Sequence, residues 1–249
     1  MSYVIAIAGK GGTGKTTISA LLVRLLKEKN CGPVLAVDAD PNSNLAEALG
    51  VKTGDTIGDI LDSVAAYPEK IPAGMAKDRF IEMKVQEAIE EQAGFDLLSM
   101  GKPEGPGCYC YANNILRNIV FKLLGDYSYV IIDNEAGLEH LSRRTTRQAD
   151  LLLVVSDVTP AGLRAAGRIS ELASDLKLEI KNKFLLLNRS SGYLTKEKIQ
   201  LENLKYIGNI PQDEQIAQVS LGAGSLLELS ADSPALIALG KLGDKLWPN

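Results

Sequence analysis

Short runs of apolar residues alternate along the chain with longer stretches in which apolar residues recur every three or four positions. The short runs are rich in β-branched residues and almost continuously apolar, which is typical of strands buried on both faces of a sheet. They predict strands at residues 3–8, 34–38, 95–100, 128–133, 151–156, 183–188 and 204–209. The longer stretches predict helices at residues 15–29, 43–49, 80–92, 112–124, 138–149, 161–176, 213–220 and 234–247.

Strands that alternate with helices in this way are typical of βαβ units. The pattern therefore predicts an α/β fold, with a doubly wound, mostly parallel sheet flanked by helices. A chain of 249 residues can bury one sizeable core, so we expect a single domain over residues 1–249. Residues 62–79 contain Pro68, Pro72 and Gly74 and fit neither pattern, and we predict a surface excursion there.

One run joins the first predicted strand to the first predicted helix and has the phosphate-loop spacing G-x-x-x-x-G-K-[ST]. Its glycines allow backbone N–H groups to converge on phosphate oxygens, and the helix start adds the positive end of its dipole. We expect Lys15 to pair with the β- and γ-phosphates and the Thr16 hydroxyl to bind Mg²⁺. The run reads Gly9-Lys10-Gly11-Gly12-Thr13-Gly14-Lys15-Thr16.

Acidic residues follow two of the predicted strands, at the edge where open α/β sheets bind ligands. Asp38 and Asp40 follow the second strand, and Asp133 ends a Walker-B-like strand. Near a triphosphate such carboxylates hold Mg²⁺ or its water, or position the attacking water. Taken alone, Asp38 and Asp40 also fit a helix cap and a turn before proline. The second lysine of the loop, Lys10, needs a separate role, since one lysine is enough to hold a nucleotide.

Cys108 and Cys110 flank Tyr109 just before a predicted helix. In an extended segment their thiols would point to the same side and could meet one soft metal ion. Two thiolates are too few for a closed four-coordinate site, so we expect a second copy of the chain to supply the other two across a two-fold axis. Incidental loop cysteines or a redox pair remain alternatives. Cys31 is expected only to pack, and His140 is a minor candidate for linking metal and nucleotide.

The composition argues against several classes of protein. Lys and Arg number 27 against 31 Asp and Glu, a net charge of −4, which argues against broad nucleic-acid binding. Apolar runs are too short to span a membrane, and the first strand begins at once, without room for a signal peptide. Three cysteines do not make a disulfide framework. We therefore expect a cytoplasmic protein that binds neither nucleic acid nor membrane.

Lys10 together with Lys15 resembles the deviant Walker A group of P-loop ATPases, which includes the septum-site and plasmid-partition ATPases and the nitrogenase iron protein. The resemblance implies that Lys10 reaches the ATP of a second subunit and that Asp40 activates or positions the attacking water. It also implies nucleotide or Mg²⁺ roles for further residues. These are Gly11, Gly12, Thr13, Gly14, Lys15, Thr16 and Thr17 in and after the loop, Asp38 and Asp133 at Mg²⁺, and Asn188 and Pro211 beside the adenine.

Within that group, the Cys-Tyr-Cys segment and the run Glu135-Ala136-Gly137-Leu138-Glu139-His140-Leu141-Ser142-Arg143 closely resemble the CooC-type nickel-insertion ATPases and their AcsF relatives. The resemblance implies that a homodimer holds one Ni²⁺ between its cysteine pairs, with Zn²⁺ able to compete. It further implies delivery to carbon monoxide dehydrogenase or acetyl-CoA synthase. Asn134-Glu135 departs from the small or apolar pair of some members.

The expected function is thus an ATP-driven nickel metallochaperone. A positional ATPase of the septum or partition class would share every nucleotide residue, but it should add a basic DNA-binding face or a basic amphipathic membrane tail. An iron–sulfur carrier ATPase usually presents C-x-x-C rather than C-x-C. A metal-binding module without ATPase activity would leave Asp38, Asp40 and Asp133 unexplained.

Overall fold

The structure is a computed structural model that describes residues 2–102, 109–136, 148–190, 201, 203–222 and 224–247, without the side chains of 109–111 and 113. Its centre is an eight-stranded sheet in the order β3-β4-β2-β5-β1-β6-β7-β8, in which only β3 runs antiparallel to its neighbour. The strands are β1 (Tyr3–Ala8), β2 (Val34–Ala39), β3 (Glu90–Gln92), β4 (Phe95–Ser99), β5 (Tyr129–Asn134), β6 (Gln148–Ser156), β7 (Glu179–Leu187) and β8 (Lys205–Asn209).

Helices cover both faces of this sheet, so the predicted doubly wound α/β architecture is confirmed. The described helices are α1 (Lys15–Glu28), α2 (Asn44–Leu49), α3 (Ile57–Ala66), α4 (Lys77–Glu87), α5 (Tyr109–Leu123), α6 (Pro160–Asp175), α7 (Glu214–Leu221), α8 (Pro234–Gly240) and α9 (Gly243–Leu246). Short 3₁₀ turns lie at Pro68–Lys70 and Leu226–Glu228. Among the described helices, none is long and apolar enough to cross a membrane.

Two hydrophobic clusters lie on opposite faces of the sheet. Helices α1, α2, α8 and α9 pack on one face, and α3, α4, α5 and α6 pack on the other. Strand β1 lies between β5 and β6, with β2 to β5 on one side and β6 to β8 on the other. Open α/β sheets bind ligands beside such a change of direction, at the carboxyl ends of the strands.

Several predicted elements need correction. Residues 62–79 are a surface excursion only in part: residues 62–66 complete α3, which begins with a Thr56–Asp59 capping box and buries Val64, whereas residues 67–76 are exposed or half-buried. The helix predicted at 80–92 ends at Glu87, and residues 90–92 pair with β4 instead. The periodicity of apolar residues predicted neither feature, because α3 is short and β3 becomes a strand only by pairing with β4.

The other differences concern the ends of elements. The helix predicted at 234–247 is broken between α8 and α9. Residues 148 and 149 belong to β6 rather than to the helix predicted at 138–149, whose remaining residues lie outside the described part of the chain. Helix α5 begins at Tyr109, so residues 109 and 110 are helical and not extended as we expected.

Candidate functional site

The phosphate loop follows β1 and leads directly into α1. Gly14 precedes the helix with φ of 89°, a left-handed conformation that glycine adopts without strain. The first turn of α1 contains no acidic residue, and no side chain caps it. Its backbone N–H groups are therefore free to bind an anion such as a phosphate.

Residues distant in sequence hold this loop in place. Asn188, at the end of β7, donates from Nδ2 to the Thr13 carbonyl at 2.9 Å, and its Oδ1 accepts from the Arg189 N–H at 3.0 Å. The Arg189 guanidinium donates to the Gly12 carbonyl at 3.3 Å. Thr13 is buried and closes the turn with two hydrogen bonds to the Lys10 carbonyl. The loop is thus held by residues that directly follow β7, two strands away from β1 in the sheet.

Asn188 and Pro211 lie at neighbouring strand ends. Ser190 donates its N–H to the Ile210 carbonyl at 3.0 Å, which joins the two segments. Because one Asn188 N–H already serves the loop, its adenine role stays a prediction. Sequence reasoning missed the Arg189 contact, although the left-handed φ of 53° at this residue marks an unusual backbone turn.

Lys15 is 8% exposed and surrounded by acidic groups. Burial lowers the pKa of its ammonium group, while the charges of Asp133, Asp40 and Glu135 act in the opposite direction. A lysine held among carboxylates in this way can form a charge-assisted hydrogen bond with a bound phosphate group instead. Glu135 belongs to this group, although the sequence indicated no role for it.

Asp38 and Asp133 face each other across β2 and β5, where they are register partners. Both are almost fully buried, at 0% and 1% exposure. Burial, together with the charge of Asp133, raises the pKa of the Asp38 carboxyl to about 7, although N–H bonds from Leu45 and Asp40 oppose the rise. Burial also raises the pKa of Asp133 to about 6, while the hydroxyls of Thr16 and Ser19 and the Lys15 charge oppose the rise.

These residues fit a divalent cation. The Oδ1 atom of Asp133 is buried and has no hydrogen-bond partner within the described residues, and the Thr16 hydroxyl lies within hydrogen-bonding reach of the same carboxyl group. Two adjacent buried carboxylates and a hydroxyl are the oxygen ligands that Mg²⁺ binds directly or through water. Burial disfavours the charged form of both carboxyl groups, and a divalent cation between them would offset that cost.

Asp40 and Lys10 lie nearer to the surface. Asp40 is half-buried, and its Oδ1 accepts from the backbone and side-chain nitrogens of Asn42 at 2.9 Å each. Lys10 is exposed, so its side chain is accessible to a second molecule. Thr17 is half-buried, in the first turn of α1. The structure therefore gathers the predicted loop, carboxylate and Asn188 residues at one edge of the sheet.

The predicted cysteine site lies largely outside the described part of the chain. Cys108 and His140 lie outside the described residues, and Cys110 is described only as part of the first turn of α5. No cluster of three or more metal-ligating side chains occurs in the part of the chain that is described. Cys31 lies at the opposite, amino edge of the sheet, in a groove of about 1100 Å³ beside Tyr129 and Asp150.

A glycine-rich loop before a helix, facing paired buried carboxylates on a doubly wound sheet, defines a P-loop nucleotide-binding protein. The sequence agrees, because the CobQ/CobB/MinD/ParA nucleotide binding domain matches residues 4–223, and the chain belongs to this family.

Relatives and solved structures of this family are similar over nearly the whole chain. An uncharacterized ATP-binding protein of Methanocaldococcus jannaschii is 40% identical over 248 residues, which covers 98% of each chain. The carbon monoxide dehydrogenase accessory protein CooC of Rhodospirillum rubrum is 34% identical and covers 91% of this chain and 90% of its own. The septum site-determining protein MinD of Pyrococcus horikoshii, solved with Mg-ADP, superimposes with a TM-score of 0.76 at 24% identity, covering 100% and 97% of the two chains.

Proposed function

We propose that this protein is an ATP-driven metallochaperone, a single domain over residues 1–249 that binds Ni²⁺ at Cys108 and Cys110 between two copies of the chain. The proposal is supported by the Cys108-Tyr109-Cys110 segment of the sequence, in a chain 34% identical to the carbon monoxide dehydrogenase accessory protein. The client would be carbon monoxide dehydrogenase or acetyl-CoA synthase. Zn²⁺ is a competing ion, since thiolates bind it equally well.

ATP hydrolysis would supply the free energy for the cycle of metal binding and release. The backbone of Gly11–Thr16 and the ammonium group of Lys15 would hold the phosphates, and Asn188 and Pro211 would flank the adenine. Asp133, Thr16 and, through water, Asp38 would hold Mg²⁺, which neutralises phosphate charge when bound. Asp40 would orient the water that attacks the γ-phosphorus, so that the bond to the β–γ bridging oxygen breaks and phosphate leaves.

Dimer formation would connect the two activities. The exposed Lys10 of each subunit would reach the phosphates of the other, so that ATP draws the subunits together. The same closure would bring both cysteine pairs to the two-fold axis and complete a four-thiolate site. Loss of the γ-phosphate would then loosen the dimer, change the thiolate geometry and release the metal to the client.

The cysteine variants test this function. Cys108→Ala and Cys110→Ala should abolish Ni²⁺ binding, measured by metal analysis after gel filtration, while ATP hydrolysis persists because the nucleotide residues lie on other elements. Cys31→Ala is the matched control and should keep both activities, since Cys31 lies at the other edge of the sheet. The wild type should bind one metal ion per dimer. One tightly bound ion per monomer, or loss of hydrolysis together with metal binding, would contradict the proposal.

A further inference from the structure

Asn134 is a buried polar residue for which the proposed ATP chemistry has no use. It ends β5, directly after Asp133, and its side chain is 1% exposed. Its Nδ2 donates to the Ile7 carbonyl at 2.9 Å and lies 3.3 Å from the Ile132 carbonyl. Both partners are acceptors, so the orientation of the amide follows from them. The Oδ1 atom, in contrast, is buried without a hydrogen-bond partner among the described residues. Most buried polar side-chain atoms in folded proteins do have a partner.

The strand pattern shows which face Asn134 occupies. Val130 and Ile132 belong to the cluster that packs against α3, α4, α5 and α6, and side chains alternate along a strand, so Asn134 lies on that face. Its register partner on β2 is Ala39, a buried member of the same cluster. Ala112, in the first turn of α5, is a fully buried member as well.

The direction of α5 places its first turn near Asn134. The helix joins β4 to β5, which run parallel on either side of β2, so it must start at the carboxyl edge of the sheet and return to the amino edge. The first backbone N–H groups of any helix have no partner within the helix. The first N–H groups of α5, which the helix itself does not bond, and the Oδ1 atom of Asn134 thus share one edge and one face of the sheet. Cys110 belongs to this same turn.

Asn134 is also connected to the phosphate loop. Its bond to Ile7 reaches β1 two residues before Gly9, where the loop begins. Its neighbours Asp133 and Glu135 both interact electrostatically with Lys15. When Mg-ATP binds, a phosphate would pair with Lys15 and Mg²⁺ would lie beside Asp133, so the charges that face the residues on both sides of Asn134 would change.

We propose that Asn134 is a positioning residue that couples the nucleotide site to the start of α5, with its Oδ1 accepting an N–H of the first helical turn in the ATP-bound state. This inference rests on the proposed function, because it gives the cysteine segment its nucleotide control. In that state the Asn134 side chain would make two hydrogen bonds, one to β1 before the phosphate loop and one to the helix that carries Cys110. A small movement at Lys15 can therefore reach the proposed metal site through a single side chain.

Hydrogen–deuterium exchange of the metal-free protein tests the coupling directly. In the wild type, amides of residues 109–116 should exchange at least ~5-fold more slowly with a non-hydrolysable ATP analogue and Mg²⁺ than with ADP. Asn134→Leu keeps the size of the side chain and removes its polar atoms, and it should reduce this difference to less than ~2-fold while binding the analogue normally. Asn134→Ala is a second variant, in case leucine disturbs folding, and should give the same loss because alanine has neither the donor nor the acceptor.

Ser156→Ala is the matched control. Ser156 is 1% exposed at the carboxyl end of β6, on the same face as Asn134, but it bonds to the Asp157 carbonyl and lies beside α6 rather than α5. This variant should keep the wild-type protection. Wild-type protection in both Asn134 variants, equal loss in Ser156→Ala, or a wild type that binds the analogue without any change at α5 would overturn the inference. A wild type that shows the α5 response but binds no Ni²⁺ would overturn the proposed function alone.

Discussion

At the scale of single residues, the site depends on a few close contacts to the phosphate loop. A Cβ atom added at Gly14 would lie 2.3 Å from the Asn188 Nδ2 atom, which holds the Thr13 carbonyl. The loop and the Asn188 side chain therefore fit together only when position 14 has no side chain. Buried charge is the second feature at this scale, since Lys15, Asp38 and Asp133 have little contact with solvent.

Replacing Gly14 with alanine should destabilise the protein and abolish nucleotide binding. The φ of 89° costs an L-residue about 1–2 kcal/mol, and the contact with Asn188 adds to that cost. Gly74→Ala separates the two effects, because Gly74 has a φ of 83° and no heavy atom within 4 Å of an added Cβ. Urea denaturation should show a clearly larger loss for Gly14→Ala, and calorimetry should show normal ATP binding only in Gly74→Ala. Equal losses would mean that the Asn188 contact contributes nothing.

The stability of the nucleotide-free protein should fall as the pH rises from about 4 to about 7. The pKa values of Asp38 and Asp133, about 7 and about 6, lie above the ordinary 3.8, so the folded state holds protons that the unfolded chain releases over this range. This stabilisation is complete below the ordinary pKa and is lost as the pH rises through the folded values. Asp38→Asn cannot ionise and should show a flatter profile in denaturant unfolding between these pH values. An identical slope in wild type and variant would contradict the prediction, and Asp126→Asn, at an exposed turn, is the control.

At the scale of elements, Asp213 joins two helices next to the predicted adenine-flanking Pro211. Its Oδ1 accepts the Gln215 N–H at the start of α7, and its Oδ2 accepts the Ser233 hydroxyl and the Ala235 N–H at the start of α8. One carboxylate thus caps two helix starts and fixes the segment that follows β8. Helix α7 has no fully buried residue and packs on the core only through the half-buried Ile216 and Val219, so the cap adds a second constraint on its position.

Asp213→Ala should lower the free energy of unfolding by about 2–4 kcal/mol, because two helix caps and a buried charged hydrogen bond are lost together. It should also weaken ATP binding, since the Pro211 segment loses its anchor. Asp232→Ala is the control: Asp232 is a neighbouring exposed carboxylate that contacts the Gln215 side chain, and its removal should leave the denaturation midpoint unchanged. Similar midpoints for the two variants would show that the caps are not important.

At the scale of the whole molecule, Lys10 is the lysine of the phosphate loop that a single chain leaves accessible. It is exposed, whereas Lys15 is buried in the same loop. The Lys10 backbone carbonyl closes the turn with Thr13, so its side chain can be removed without loss of that bond. A nucleotide-dependent dimer would need both kinds of lysine: a buried one for the nucleotide of its own subunit and an exposed one for the nucleotide of the other.

Lys10→Ala should bind a non-hydrolysable ATP analogue with an affinity close to that of the wild type and yet remain a monomer. The wild type with the analogue should elute as a dimer, because each Lys10 would neutralise phosphate charge in the other subunit. Gel filtration with light scattering measures the mass directly. Lys52→Ala, another exposed lysine, should dimerise normally. A Lys10→Ala dimer, or a wild type that stays monomeric with the analogue, would remove the proposed role of Lys10.

The sequence by itself determined the α/β class, the phosphate loop and the acidic strand ends. These features are local, since hydrophobic periodicity defines strands and helices, and a parallel sheet gathers the residues that follow its strands at one edge. Only the tertiary structure showed that Asn188 and Arg189 hold a loop some 175 positions away, that Asp38 and Asp133 are register partners, and that Asn134 has a free oxygen. It also decided β3, whose three residues form a strand through pairing with β4. Such features depend on which distant segments become neighbours, and the periodicity that defines each helix or strand does not specify its neighbours.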